Sequence, residues 1–92
     1  MIVWHEAKRK ANLEKHGLDF ADADMVYGNP DKITFLSPRE RENRKQDIAM
    51  VAVRGRVLTL IYVERRADVR VISFRVASRE EREAYEQAQE PD

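Results

Sequence analysis

The stretch Val57–Val63, VLTLIYV, limits the possible folds more than any other part of this chain. Seven consecutive residues that are apolar, aromatic or threonine suit a strand covered on both faces, which places it in the middle of a sheet. After the charged break ERRAD comes Val69–Arg75, VRVISFR, where Arg70, Ser73 and Arg75 sit among apolar residues. Under simple alternation Ser73 and Arg75 share a face with Val69 and Val71, and Arg70 shares the other with Ile72 and Phe74. The two arginines then meet at one site only if a bulge or a strand end intervenes.

The segments on either side supply the rest of the sheet. IAMVAV runs into Arg54-Gly55 and then into the central strand, a hairpin in which glycine provides the positive φ of the turn. KITFLS reads as a further strand and PREREN as a polar loop, while Ile2–Trp4 can add a short edge strand that lays Trp4 on the core. Between them, EAKRKANLEKHG predicts a helix that ends at a left-handed Gly17 cap, with Lys15 and His16 at the negative end of its dipole. Asp19 is placed to cap a second helix, whose buried face is Phe20, Ala23, Val26 and Tyr27; Gly28 and Pro30 end it. Ser78 with Glu81 three positions later has capping-box spacing, so a last helix begins near Arg79 and docks through Tyr85. The expected architecture is α+β: two N-terminal helices, an antiparallel sheet of about four strands and a C-terminal helix.

A chain of 92 residues forms one domain, here residues 1–92 with 86–92 as a flexible tail. It buries only about 60–65% of its unfolded surface, which leaves no room for a large internal cavity. Without cysteine, disulfides and thiolate chemistry are excluded. No apolar run reaches the roughly 20 residues that span a bilayer, and the N-terminus lacks signal-peptide order, so a cytoplasmic protein without membrane contact is expected. The formal charge is zero, but the last ten residues hold four acids and no base, so residues 1–82 carry 17 basic against 13 acidic side chains, a net +4. Such segregation permits a basic patch on a neutral protein.

Glycine-rich phosphate loops, Gly-x-Ser-x-Gly and His-x-x-x-His are all absent. His5 and His16, at opposite ends of one helix, stand about 16 Å apart at 1.5 Å per residue and cannot share a metal ion, so neither metal nor cofactor is expected. Arginine, lysine, histidine, tyrosine and serine near a sheet surface remain. That set suits RNA cleavage, in which the substrate's own 2′-hydroxyl attacks and the protein orients it and neutralises the phosphorane. Arginine suits the charge because its planar fork grips two phosphate oxygens.

Trp4, Lys8, Asn12, Lys15-His16-Gly17, Phe20 and Ala23, with Arg70-Val71-Ile72-Ser73-Phe74-Arg75, Ala77, Arg79-Glu80 and Tyr85, resemble the BrnT toxins of type II toxin–antitoxin modules. The resemblance runs from about Ile2 to Tyr85. It implies a RelE-like ribonuclease fold, RNA cleavage that blocks translation, and a BrnA-like ribbon-helix-helix antitoxin that covers the toxin and with it represses operator DNA. His16 and Lys15 are then proton-transfer or phosphate groups, Arg75 and Arg70 charge stabilisers, and Lys8, Arg44 and Arg79 substrate contacts, with Arg75 favoured over Arg70. The chain departs from the family pattern at His5, usually Asp, and at Phe74, usually Ala; a glycine usual near Ala49 is also missing. The competing reading is a non-catalytic nucleic-acid- or protein-binding subunit that acts as a co-repressor, its basic faces positioning phosphate without chemistry; the plain alternative for Arg70 and Arg75 is a salt bridge to Glu64, Asp68 or the helix acids.

Overall fold

The computed structural model describes residues 1–37 and 43–91. In chain order the elements are β1 (Ile2–Val3), α1 (Glu6–His16), a 3-10 turn (Phe20–Asp22), α2 (Asp24–Tyr27), β2 (Ile33–Leu36), β3 (Lys45–Val51), a second 3-10 turn (Ala52–Arg54), β4 (Arg56–Arg65), β5 (Asp68–Val76) and α3 (Arg79–Gln89). The loop expected over PREREN lies, but for Asn43, outside the described residues.

The sheet has five strands in the order β1-β5-β4-β3-β2 and is mixed. Four of them form the expected antiparallel array, and β1 joins its edge parallel to β5, through Ile2 opposite Val69 and Val3 opposite Arg70. The sequence expectation of an all-antiparallel sheet is corrected here: β1 pairs with Val69 and Arg70, and the chain runs on to α1, which Asn12 fastens at Phe74 farther along β5, so β1 points the same way as β5. β4 holds the centre as expected, with Val57–Leu60, Tyr62 and Val63 buried and Ile61 half-buried.

The second N-terminal helix is shorter than its periodicity implied. Asp19 caps as expected, its side chain accepting from the Ala21 N–H at 2.9 Å, but what it caps is a 3-10 turn, and only four residues of α-helix follow. Tighter winding places residues three apart in line, so Phe20, Ala23 and Val26 all reach the sheet and are fully buried. The hairpin loop is wider than Arg54-Gly55 alone: β3 stops at Val51, Ala52–Arg54 make a 3-10 turn, and Gly55 closes it at φ +64 with its N–H donating to Val51 and Ala52. Ala52 and Val53 extend the apolar pattern of β3 in sequence, yet both are exposed.

One core fills the side of the sheet covered by the 3-10 turn and α2, with Phe20, Ala23 and Val26 against Ala49, Leu58, Leu60, Tyr62, Val71 and Phe74. On that side Asp47, fully buried, accepts hydrogen bonds from Lys32 Nζ (2.7 Å), Thr34 Oγ1 (2.6 Å) and Tyr62 OH (2.9 Å). Three donors offset the cost of burying the carboxylate. Opposite, α3 crosses the sheet and buries Tyr85, and Gln89 Nε2 donates to the Asp31 carbonyl, so residues 86–89 continue the helix. Its N-terminus carries the expected capping box between Ser78 and Glu81.

Candidate active site

β5 does not alternate simply. Ile61 of β4 faces Ser73 and Tyr62 faces Val71, so Ile72 is an extra residue in a β-bulge. The bulge resets the parity of the strand. Val69, Val71 and Phe74 point into the core, while Arg70, opposite Val63, and Ser73 and Arg75, opposite Ile61 and Thr59, point together to the other face. The conflict between the two arginines under simple alternation is thereby removed.

α1 lies along the free part of the β5 edge beyond the two residues of β1. Asn12 fastens it there: its Nδ2 donates to the carbonyls of Phe74 (2.8 Å) and Leu18 (3.0 Å), and its Oδ1 accepts from the Phe74 N–H (3.1 Å). The amide takes the place of a neighbouring strand, satisfying both backbone groups of one edge residue. Arg9 ties the helix to the following turn through Asp19 at 3.0 Å. Gly17 ends it at φ +70, its N–H donating to Leu13, as the sequence predicted. At the other end His5 occupies the N-cap and makes no side-chain cap bond.

Between α1 and the bulge lies a shallow depression lined by Lys8, Asn12, Lys15, His16, Ile72 and Ser73. The side chains of Lys8, Lys15, His16 and Ser73 make no hydrogen bond or ion pair with the described residues. Their polar ends are therefore available to a ligand. A second depression continues from His16 past Leu18 to Arg54, Arg56 and Leu58, and a third shares Arg56 and Val76 with the second and passes beneath α3. Their volumes, about 240, 270 and 340 Å³, sit at or below the lower end of the roughly 300–1,000 Å³ of small-molecule pockets. Open grooves of this kind suit a polymer rather than an enclosed metabolite.

The remaining sequence-predicted residues lie elsewhere. Arg70 shares the sheet face of Ser73, is exposed and makes no ion pair with the described residues, but does not line the depression. Arg75 is engaged: Nη1 and Nη2 grip Glu81 Oε1 and Oε2 at 2.7 and 2.9 Å. Glu81 also accepts from Thr59 and from the Ser78 backbone. Burial alone would raise the Glu81 carboxyl, but the Arg75, Ser78 and Thr59 hydrogen bonds outweigh it and hold it at about 2. The Arg75 guanidinium is raised by the same pair. Arg79, the exposed first residue of α3, pairs with Glu83 at 3.0 Å, and Arg44 is half-buried just before β3. Sequence reasoning named Asn12 among the residues of the resemblance and gave it no role. It named a bulge as the condition for the two arginines to meet but could not locate it, because Ile72, the extra residue, is as apolar as the buried positions 69, 71 and 74.

Among the described residues no three His, Cys, Asp or Glu side chains converge as a metal site would require, and no helix is long and apolar enough to cross a membrane. No curated protein sequence matches the chain significantly. A family model does: that of the ribonuclease toxin BrnT of type II toxin–antitoxin systems, over residues 4–81. The matched range contains α1, the bulged strand and Glu81 together. The chain belongs to the BrnT family of ribonuclease toxins of type II toxin–antitoxin systems.

Proposed function

We propose that this toxin cleaves RNA without a metal ion, at the depression between α1 and the bulge of β5. The observation that carries the reading is that Lys8, Lys15 and His16, none of them bonded or ion-paired to the described residues, line one depression together with Ser73. In this reading the RNA phosphate lies over Ser73 and Ile72, with Lys8 and Lys15 countering its charge. The 2′-hydroxyl of the substrate attacks the adjacent phosphorus as His16 takes its proton, and the P–O5′ bond breaks as the same proton passes from His16 to the leaving 5′-oxygen. The products are a 2′,3′-cyclic phosphate and a 5′-hydroxyl. No water enters the step, so a shallow open site is sufficient.

Arg70, with its fork unpaired and on the face of Ser73, supports charge on the phosphorane and its flanking phosphates. Arg75 acts as a positioning residue, because Glu81 already occupies its fork. The sequence-based preference for Arg75 over Arg70 is thereby reversed in the proposal. Arg44 and Arg79 contribute at most to the flanking RNA backbone. RNA cleavage in the cytoplasm would inhibit translation, and a BrnA-like ribbon-helix-helix antitoxin would neutralise the toxin and carry it to operator DNA. Purified protein incubated with RNA in EDTA tests the proposal: cyclic-phosphate ends support it, whereas intact RNA, or products with 3′-hydroxyl ends, rejects it.

A further inference from the structure

The second and third depressions form one continuous groove round the hairpin end of the sheet. The second lies on the side of the 3-10 turn, with Leu58 in its floor; the third lies on the α3 side, floored by Met50, Val57 and Ala77. Arg56 and Val76 belong to both. Met50 and Val76 are 43% and 39% exposed there, and Val53 at the hairpin tip is 79% exposed, an apolar concentration that the fold does not use. Arg56 and Arg82 border it and make no ion pair with the described residues; Glu86 is the one carboxylate in the lining. RNA is bound through phosphates and stacked bases, and apart from His16 at its far end the lining carries no aromatic ring for stacking and has an aliphatic floor. An aliphatic floor with a cationic rim instead matches a peptide that alternates apolar and acidic side chains. Because the groove bends round the end of the sheet, the occupant must bend with it, as an extended segment does and a helix does not.

From this we infer that the groove receives an extended, acidic and apolar segment of the antitoxin, and that the segment silences the toxin by running on from Arg56 to His16, which the second depression shares with the proposed active site. The inference rests on the toxin reading for its partner but not on the cleavage chemistry. The test uses the full chain and its cognate antitoxin. Hydrogen exchange is compared for free and complexed toxin, and affinity is measured at low and high salt for the wild type, for Arg56→Glu with Arg82→Glu, for Met50→Asp, and for Lys10→Glu as a control outside the groove. Expected are protection of residues 50–58 and 76–86, weakening by about tenfold or more in both groove variants with unchanged thermal melts, and no loss in the control. RNA cleavage by the free groove variants should stay at the wild-type rate. Protection confined to other surfaces, unchanged antitoxin affinity, or a loss of RNA affinity alone overturns the inference. If the free wild type cleaves no RNA while the groove is protected as described, the docking surface stands and the ribonuclease reading falls.

Discussion

Replacing Glu81 by glutamine tests how β5 and α3 are joined. The carboxylate accepts four hydrogen bonds, two from Arg75 at 2.7 and 2.9 Å, one from Thr59 at 3.0 Å and one from the Ser78 N–H at 2.8 Å. Its depression from an ordinary 4.5 to about 2 corresponds to about 3 kcal/mol at neutral pH. The Arg75 and Glu81 side chains are 26% and 15% exposed, so solvent screening lowers the figure to about 2 kcal/mol. For a group held below its unfolded value, this stability is complete above about pH 5 and is lost as pH falls toward the folded value near 2. Urea unfolding of both proteins between about pH 7 and pH 2.5 measures it. At neutral pH Glu81→Gln is expected to cost about 2 kcal/mol, a fall in Tm of about 8–16 °C for a domain of this size. The gap should narrow with acid, because the wild type protonates toward the variant's charge state. A gap below about 0.5 kcal/mol at neutral pH, or one that does not change with pH, would refute the assignment.

Three further substitutions address the supports of the site. Asn12→Ala leaves both backbone groups of Phe74 without their partner and should cost about 3 kcal/mol, with faster hydrogen exchange at the Phe74 amide as its local signature. A methyl group on Gly17 would meet nothing within 4 Å, so Gly17→Ala should cost only the strain of φ +70, about 1–2 kcal/mol by thermal melting, while Gly17→Asn should cost less. Asp47→Ala removes the common acceptor of Lys32, Thr34 and Tyr62 in the core and should destabilise by about 3–5 kcal/mol in urea, with Asp47→Asn milder because it keeps one oxygen acceptor.

Local signals in the sequence carried most of the fold. Gly17, Asp19, Gly55 and the Ser78–Glu81 box each act within a few residues, and each terminates or starts an element where expected. The β4 run was legible because both faces of the central strand are covered. What was not legible depends on distant partners. Whether β1 runs parallel to β5 is decided by the path of α1, which Asn12 fixes through Phe74, 62 positions away. The short second helix follows from the need to seat Phe20, Ala23 and Val26 on one patch of sheet, which periodicity alone reads as an ordinary helix. The site shows the same division. Lys15 and His16 stood out beside a helix-ending glycine because a helix end is a local signal, whereas Lys8 entered as a site residue through the resemblance. The relation of Arg70 to Arg75 was not available, since the Ile72 bulge exists only through pairing with β4. The helix acids were named among the alternative partners of the arginines, and the structure selects Glu81 for Arg75, although Glu81 is already committed to its own cap.

The most direct measurement is cleavage of RNA by the purified chain in EDTA, with His16→Ala and Lys15→Ala beside the wild type and thermal melts as the check on folding. The expected result is cleavage with cyclic-phosphate ends by the wild type and a loss of about 100-fold or more for His16→Ala, with melting unchanged because His16 makes no side-chain bond to the described residues. Wild-type protein that leaves RNA intact, or a His16→Ala variant that cuts as fast as the wild type, would contradict a ribonuclease site between α1 and the bulge of β5.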